Sequence, residues 1–348
     1  MKMNKFNKNF VFSLMIIILL ATVTYSVMAS QDLPFSTDVK DIKISYIGKS
    51  TTYLFWQTAM AGAQVAAGQL GVEIACQSPS AGTAGMTEQV DMFETAMSTF
   101  PDAVILGPLT ADSLVPAVEK AVKEGTNVVI IDSAINTDVY DTFVASDNVA
   151  AGKALAKEFV ELIKEKFGKA DGEIAYITED AGVGCITQRD DGFLEGLKEY
   201  GPDLKIVAHD YGQSSVTKAM QVFEDMFTAH PNLVGVFADS EPMGTGLARA
   251  LATSGMTDKL VAVSFDFSDV LIEALENNVL QALLAQKPWN IGYYATFYAV
   301  CAIEGVYVPT FVDPGYTVVT VANMNSPESQ AALDPLGFFE DMIKKYVK

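Results

Sequence analysis

The sequence predicts an α/β protein of two lobes, each a doubly wound parallel sheet, joined by a hinge. Two stretches, 102–132 and 232–266, carry this prediction, because each holds two apolar runs separated by a segment with helical spacing. Apolar runs of this length around one helix are typical of buried parallel strands. Each stretch ends on an aspartate, Asp132 or Asp266. A chain of 348 residues has room for two such lobes.

The first series of elements follows a polar linker at 30–41. Its strands are short apolar runs, and its helices repeat apolar residues every three or four positions, as Val90, Phe93 and Met97 do. Strand and helix alternate at the spacing of a doubly wound sheet. The predicted strands are 42–48, 72–76, 103–106, 127–132 and 142–144, and the predicted helices are 55–70, 87–100 and 113–123.

The second series begins after a short join at 146–149, and no long Pro, Gly or Ser linker separates the two series. A short join favours lobes connected by several chain crossings, as in hinge proteins. A helical tail is expected at 327–346. The predicted strands are 173–177, 204–208, 232–238, 259–266, 280–285 and 316–321, and the predicted helices are 151–167, 188–200, 216–228, 243–254 and 291–304.

The N-terminus has the pattern of an export signal. A basic start at 1–8 precedes the apolar run 10–21, and small or tolerated residues up to Ala29 offer a site for signal peptidase. The sequence therefore predicts a signal peptide at 1–29 and a protein in the periplasm or at the extracellular face of the cell membrane. An uncleaved anchor is the alternative, because the weakly apolar run continues towards Ala29.

Charge and cysteine content limit the partners and the redox chemistry. The net charge of −20 argues against nucleic acid and anionic membranes as partners, since both need clustered Lys and Arg. Cys76, Cys185 and Cys301 cannot all pair within one chain, and their spacing fits no metal motif. One disulfide remains open, because nothing in the sequence selects a pair.

Cofactor and metal motifs are incomplete. Residues 48–50 lack the earlier glycine of a phosphate-binding loop, and residues 182–184 and 244–246 lack the third glycine of a dinucleotide fingerprint. His209 and His230 are the two histidines of the chain and lie on separate elements, so a histidine metal centre or a catalytic triad is not expected. We expect no cofactor and no metal.

Asp132 and Asp266 occupy equivalent positions in the two halves of the chain. Ligands of open parallel sheets bind just beyond the carboxyl ends of the strands. The two aspartates therefore predict a small molecule held between two lobes. Paired carboxylates also hydrolyse glycosides, so a small glycosidase is a rival interpretation.

The residue types at these strand ends suit a polyol. A carboxylate accepts hydroxyl protons, Arg and Gln donate hydrogen bonds in fixed geometry, and an aromatic ring covers a C–H face. The chain offers candidates of each kind at a strand end or loop: Phe55, Trp56, Asp132, Arg189, Asp266 and Gln286.

These residues and the segments around them resemble the periplasmic sugar-binding proteins of the ribose-binding type, which serve ABC importers. Each matching segment is short, but the segments occur in the order and at the spacing of the family. The resemblance covers about residues 42–321. The segments are Phe55-Trp56 with 61–63, 129–132, 145–148, 188–193, 228–231, 236–238, 264–266 and 285–286.

The resemblance implies the type I periplasmic binding protein fold, in which two α/β lobes are joined by three crossings. The implied lobes are 41–146 plus 287–315 and 147–286 plus 316–348. It also implies a monomeric binding protein, not an enzyme, that binds a monosaccharide in the cleft and closes on it. Its partners would be the small sugar and an ABC permease in the membrane, with no nucleic acid.

The resemblance also implies roles for the site residues. Phe55 and Trp56 would sandwich the sugar. The carboxylates of Asp132 and Asp266 and the side chains that match the family's arginine and glutamine, Arg189 and Gln286, would hydrogen-bond the hydroxyls. Further candidate ligand contacts are Lys49, Ser50, Tyr53, Ser133 and Ser240.

Three departures from the family pattern bear on the ligand. Ser133 stands where many members carry arginine, Ser214 or Gln213 stands where an aromatic residue is common, and the usual asparagine is replaced near Asp239 and Ser240. The ligand is therefore expected not to be ribose bound in the usual way.

A second branch of the family, which binds the quorum signal autoinducer-2, shares some of this pattern. Lys49, Ser133 and the pair 211–212 match that branch, whereas Asp266 is usually absent from it. The alternatives to a sugar importer protein are therefore an autoinducer-2 receptor, or a sugar receptor that feeds a chemotaxis or sensor-kinase partner.

Overall fold

The computed structural model describes residues 41–80 and 85–347. The strands are β1 (Lys43–Ile47), β2 (Glu73–Gln77), β3 (Ala103–Leu106), β4 (Asn127–Ile131), β5 (Thr142–Val144), β6 (Gly172–Thr178), β7 (Leu204–Tyr211), β8 (Leu233–Ala238), β9 (Val261–Phe265), β10 (Ala282–Gln286), β11 (Phe311–Val312) and β12 (Tyr316–Thr320). The helices are α1 (Leu54–Leu70), α2 (Met86–Met97), α3 (Val115–Lys123), α4 (Asn148–Phe167), α5 (Gly184–Tyr200), α6 (Val216–Ala229), α7 (Glu241–Ser254), α8 (Asp269–Glu276), α9 (Pro288–Ile303), α10 (Pro327–Leu333), α11 (Pro335–Phe338) and α12 (Glu340–Tyr346).

The strands form two six-stranded sheets, with the orders β11–β5–β4–β3–β1–β2 and β12–β10–β9–β8–β6–β7. All neighbours are parallel except β10 and β12. The predicted fold class, two doubly wound and mostly parallel sheets, is confirmed. Parallel strands place their carboxyl ends at one edge of each sheet, which is where ligands bind in such folds.

Both faces of each sheet are covered by helices. In the first sheet, α1 and α9 lie on one face, while α2 and α3 pack through Phe93 and Val118 on Ile47 and Val104 of the other. In the second sheet, α4 and α5 cover one face, and α6 and α7 cover the other. The fully apolar strands follow from this burial on both sides.

The chain crosses between the sheets three times, after β5, β10 and β11. The crossings are tied to each other. Asp313 accepts a hydrogen bond from the Asp147 backbone N–H at 3.4 Å, and Asn290 Nδ2 donates to the Pro314 carbonyl at 3.5 Å. The three segments therefore form one connected hinge region.

Two elements escaped sequence analysis. Strand β11 has only two residues, which is too short for a periodicity, and helix α8 was not among the predicted helices. Ser268 caps α8 by accepting a hydrogen bond from the Leu271 N–H, and this cap was the overlooked signal.

The C-terminal tail is shared between the two halves. Helix α10 packs on β12, whereas α11 and α12 contact α1, and the ring of Phe339 stacks on Trp289 of α9 at 4.3 Å. We therefore propose the lobe limits 41–146 plus 287–315 and 147–286 plus 316–334, with the residues beyond 334 resting on the first lobe. The earlier expectation assigned the whole tail to the second.

Two glycine contacts bring helices close together near the hinge. A Cβ on Gly292 of α9 would lie 1.8 Å from the Ala59 carbonyl oxygen of α1. A Cβ on Gly192 of α5 would lie 2.1 Å from the Val149 carbonyl oxygen of α4. Each lobe therefore has one helix pair whose backbones touch, and each pair borders a chain crossing.

The predicted signal peptide at 1–29 and most of the linker at 30–41 lie outside the described residues. No helix within 41–80 and 85–347 is long and apolar enough to span a membrane. Cys76, Cys185 and Cys301 are all free thiols, so no disulfide forms among them.

Candidate functional site

A cavity of about 580 Å³ lies where the carboxyl ends of the two sheets face each other. Loops that follow strands of both lobes contribute to its wall. Apart from Ser50 and Ser133, every residue predicted as a ligand contact lines it: Lys49, Tyr53, Phe55, Trp56, Asp132, Arg189, Ser240, Asp266 and Gln286. The structure therefore brings together residues that are up to 237 positions apart in the sequence, from Lys49 to Gln286.

Asp132 and Asp266 are structural counterparts. Each follows a central strand, β4 or β9, and each has a left-handed backbone with φ of 64° and 65°. Each donates its backbone N–H to the adjacent strand, to the Val144 carbonyl at 3.0 Å and the Leu284 carbonyl at 2.8 Å. Aspartate tolerates this conformation better than most residues, and such conformations cluster at ligand sites. The turn projects each carboxylate beyond its sheet.

Asp132 is paired within the first lobe. Its Oδ2 accepts from Lys49 Nζ at 2.6 Å and from Ser133 Oγ at 3.0 Å, and Lys49 Nζ also contacts Ser133 Oγ. Lys49 lies over the Trp56 ring, 5.6 Å from its centroid. Ser133 thus orients the pair from behind the wall of the cavity.

Asp266 is paired within the second lobe. Its Oδ2 accepts from an Arg189 guanidinium nitrogen at 3.2 Å, and its Oδ1 accepts from Gln286 Nε2 at 2.6 Å. Both oxygens are therefore engaged, and the three predicted polar contacts form one continuous network along the second wall.

Arg189 is the centre of that network. Its Nε donates to Asn148 Oδ1 at 3.0 Å, a terminal nitrogen donates to the Asp239 carbonyl at 3.0 Å, and its guanidinium lies 4.7 Å from the Phe265 ring centroid. Burial alone would lower its pKa, but the carboxylate of Asp266 and other nearby acidic groups raise it. Arg189 is therefore a fixed, buried cation.

Asn148 and Asp239 hold Arg189 in place, and sequence analysis did not assign them this role. Asn148 also donates from Nδ2 to the Ser146 carbonyl in the first crossing. The fully buried Asp239 carboxylate accepts the Glu179 N–H with both oxygens at 3.0 Å, and burial raises its pKa well above the ordinary value. Arg189 is thereby connected both to the hinge and to the loop after β6.

The aromatic pair sits differently from a simple sandwich. Phe55 and Trp56 contact each other edge to face at 5.2 Å, and Trp56 is buried. A Cβ on Gly107 would lie 2.6 Å from the Trp56 ring, so the ring can occupy this position only because residue 107 has no side chain. Trp56 therefore anchors α1 as well as lining the cavity, and Tyr53 is the more exposed aromatic at the opening.

The three predicted serines differ in position. Ser50 is buried, does not line the cavity, and shares a hydrogen bond at 3.0 Å with the hydroxyl of Thr52, which does line it. Ser133 lies behind Asp132. Ser240 lines the cavity, and its Oγ is buried without a hydrogen-bond partner among the described residues. It occupies the N-cap position of α7 but makes no side-chain cap.

Sequence analysis missed four acidic residues of the wall: Glu179, Asp180, Glu241 and Asp269. Glu179 and Asp180 directly follow β6, and Glu241 follows β8 by three residues. The rule that found Asp132 and Asp266, namely polar residues at the ends of buried strands, also applies to these two strands.

A buried carboxyl behind the site predicts a pH dependence of stability. Asp190 accepts from the Thr178 hydroxyl at 2.7 Å, its other oxygen is buried without a partner in the described chain, and burial raises its pKa from 3.8 to about 6. Between these pH values the folded state holds a proton that the unfolded state has lost, so stability falls as the pH rises from about 4 to about 6. Arg189 and Asp191 are the charged groups that act on it most.

We expect Asp190→Asn to raise the free energy of unfolding at pH 7.5 by about 1 to 2 kcal/mol, because the amide keeps the Thr178 contact without a buried charge. Urea unfolding at pH 4.5, 6 and 7.5 measures this, with Asp203→Asn, which removes an exposed carboxylate of the same lobe, as control. A variant that is less stable at pH 7.5, with the wild-type slope retained, would contradict the assignment.

Comparison with known proteins finds one family, one curated relative and two solved structures that are similar to this chain. Residues 44–305 match the periplasmic binding protein domain family. The D-allose-binding periplasmic protein of Escherichia coli (strain K12) is 29% identical over 252 residues, which cover 70% of this chain and 79% of that protein.

Two solved structures are similar over 84% of this chain and 99% of theirs. A carbohydrate transporter solute binding protein from Agrobacterium radiobacter, in complex with D-arabinose, has a TM-score of 0.78 and 31% identity. An ABC transporter solute binding protein from Agrobacterium vitis, with bound D-fucose, has a TM-score of 0.75 and 34% identity.

Proposed function

The chain belongs to the periplasmic binding protein domain family, and from this membership we propose that it binds a monosaccharide in the cavity between its lobes, closes on it and delivers it to an ABC permease. The relatives described above are a D-allose-binding periplasmic protein and two transporter solute binding proteins with a bound sugar. The chain is accordingly a sugar-transport binding protein and not an enzyme. The glycosidase interpretation of the paired aspartates is thereby set aside.

One observation carries the proposal. Asp132 and Asp266, one from each lobe, line the same cavity, and each is already held by a cation, Lys49 or Arg189. Two carboxyl acceptors and fixed donors on opposite walls suit a small molecule that has hydroxyls on both sides.

The polar residues then divide the hydroxyls between the lobes. In the first lobe Asp132 and Lys49 take one side of the sugar, with the rings of Phe55 and Tyr53 at its C–H surface. In the second lobe Arg189 and its partners Asp266 and Gln286 take the other side. A ligand that contacts both walls binds the closed state better than the open one, so binding drives closure.

Family membership also bears on the location of the protein and on its partners. The family is that of periplasmic binding proteins. We propose that residues 1–29 act as the export signal, that the protein works as a monomer, and that the permease is its membrane partner. Lys49 and Ser133 fit the autoinducer-2 branch, but the relatives described above bind monosaccharides, so we favour a monosaccharide.

A thermal-shift screen tests the function. Neutral pentoses and hexoses and autoinducer-2 are added separately at millimolar concentration, since a ligand that binds only the folded state raises the melting temperature. We expect one or a few monosaccharides to raise it by several degrees. No shift with any monosaccharide contradicts the proposal, and a shift with autoinducer-2 alone favours the alternative branch.

We expect Asp132→Ala to weaken binding of the sugar identified in that screen by about 1.5 to 3 kcal/mol, or roughly 10- to 150-fold, because ligand hydroxyls lose an ionised acceptor. Isothermal titration calorimetry measures the change. Asp91→Ala, which removes an exposed carboxylate on α2, is the control. Unchanged affinity in Asp132→Ala would remove this residue from the site.

A further inference from the structure

The charges around the cavity do not balance. Its charged lining residues are the cations Lys49 and Arg189 and the acids Asp132, Glu179, Asp180, Glu241, Asp266 and Asp269. Both cations are already paired, Lys49 with Asp132 and Arg189 with Asp266. Within the part of the chain that the structure describes, the other four acids have no ion-pair partner. The second lobe therefore presents uncompensated negative charge to the cavity.

Two of these acids compete for one proton. The Ser214 hydroxyl lies 2.8 Å from Glu179 Oε1 and 2.6 Å from Asp180 Oδ2. A hydroxyl has a single proton to donate, so it can satisfy only one of the two carboxylates. At least one carboxylate oxygen of this pair is therefore left without the Ser214 proton and can accept a hydrogen bond from a ligand.

A third acid stands close to this pair. Glu241 accepts from the Thr245 hydroxyl at 3.1 Å, and burial, together with the carboxylates of Asp266 and Glu179, raises its pKa. Tyr53, on the first lobe, lines the same cavity, and burial together with the charges of Glu179 and Glu241 raises its pKa as well. The acids therefore surround one region of the cavity.

An unpartnered buried hydroxyl lies beside these acids. Ser240 directly precedes Glu241, is 2% exposed, and has an Oγ with no hydrogen-bond partner among the described residues. Asp239, the residue before it, binds the Glu179 backbone N–H and so holds the two loops together. A buried polar atom without a partner at a cavity wall leaves a hydrogen bond that a ligand atom can complete.

We propose that this region, formed by Glu179, Asp180, Ser240 and Glu241, binds an ammonium group, and that the protein prefers a protonated amino sugar over neutral or acidic monosaccharides. The inference rests on the proposed function, which supplies the sugar. An ammonium has three donors and no acceptor, which matches a region composed of acceptors. A hydroxyl in its place would donate one proton only and bring no charge.

The electrostatic argument has a clear direction. A carboxylate removed from water without a counter-charge is costly, and an opposite charge a few ångströms away offsets that cost more strongly than it would in bulk water. A sugar acid would add a like charge to the same region. A bound metal ion is a poor alternative occupant, because no group of three or more His, Cys, Asp or Glu side chains in the described chain is placed to hold one.

Calorimetry on matched sugars tests the proposal. The probes are D-glucosamine, D-galactosamine and D-mannosamine, their neutral parent hexoses, their N-acetyl derivatives, and glucuronic and galacturonic acid. At pH 6 we expect at least one amino sugar to bind tenfold or more tightly than its parent and its N-acetyl derivative. The uronic acids should bind more weakly than the parents. The preference should weaken as salt is raised.

Variants separate charge from shape. Glu241→Gln and Glu179→Gln should each reduce the preference for the amino sugar over its neutral parent about tenfold, because the amide keeps the shape of the side chain and removes its charge. Glu224→Gln, an exposed acid on α6, should not change this preference. If neutral hexoses or pentoses bind and no amino sugar binds more tightly, the inference is overturned and the proposed function stands. If no monosaccharide of any charge binds, the proposed function itself fails.

Discussion

Arg189→Ala should abolish measurable binding of the monosaccharide, with a loss of at least about a hundredfold in affinity. Arg189 is the donor on which the second wall depends, because it bonds Asn148, Asp239 and Asp266 at once. Removing one partner of a buried ion pair costs about 3 to 5 kcal/mol, since the remaining charge is left uncompensated. Here the remaining charge is the Asp266 carboxylate, which is itself a proposed ligand contact.

The same substitution should also destabilise the second lobe, so affinity and stability must be measured separately. Circular dichroism first sets a temperature at which the variant is folded, and calorimetry at that temperature then gives the dissociation constant. Arg189→Lys keeps the charge but cannot reproduce the forked donor geometry, and it should bind with intermediate affinity.

Arg249 offers a matched control, because it is an exposed arginine on α7 of the same lobe. Arg249→Ala should leave affinity unchanged. A folded Arg189→Ala that binds within tenfold of the wild type would show that this guanidinium serves the fold and not the ligand.

The sequence was informative wherever function follows a local rule. Burial on both faces makes central strands continuously apolar, so β3, β4, β8 and β9 were visible as runs, and the aspartates that follow β4 and β9 were conspicuous. This is why Asp132 and Asp266 were found without coordinates and why the fold class is confirmed. Their ligand-binding roles stay predictions until binding is measured.

What escaped prediction depends on tertiary contacts. That Asp239 holds Arg189 through its carbonyl and the next loop through its carboxylate is visible only once β6 and β8 are neighbours in the sheet. Ser240 was predicted as a ligand contact, but only the structure shows that its hydroxyl is buried without a hydrogen-bond partner among the described residues. Short elements such as β11 carry too few residues for a pattern.

The contact between α1 and α9 leads to the second large effect. Gly292→Ala should lower the free energy of unfolding by about 3 kcal/mol or more. The new Cβ would lie 1.8 Å from the Ala59 carbonyl oxygen and 3.0 Å from the Ala63 nitrogen. Both are backbone atoms inside a helix, so neither can rotate away, and the two helices must separate.

The opposing effect is too small to reverse this sign. Alanine favours a helix over glycine by at most about 1 kcal/mol. The facing side of the contact is just as tight, since a Cβ on Gly62 would lie 2.2 Å from the Trp289 carbonyl oxygen. Helix α1 begins at the cavity with Phe55 and Trp56, and α9 begins directly after Gln286 and Lys287. Separation of these helices should therefore weaken ligand binding as well as stability.

Gly184→Ala is the matched control, because Gly184 begins α5 and a Cβ there would meet no atom within 4 Å. In that variant only the helix preference acts, so stability should be unchanged or slightly higher. Urea unfolding of both variants measures the difference: the midpoint urea concentration should fall in Gly292→Ala and not in Gly184→Ala, with the dependence of the unfolding free energy on urea unchanged. If Gly292→Ala were as stable as Gly184→Ala, α1 and α9 would have to be farther apart in solution than their backbone contact requires, and the cavity wall that they carry would not be rigid.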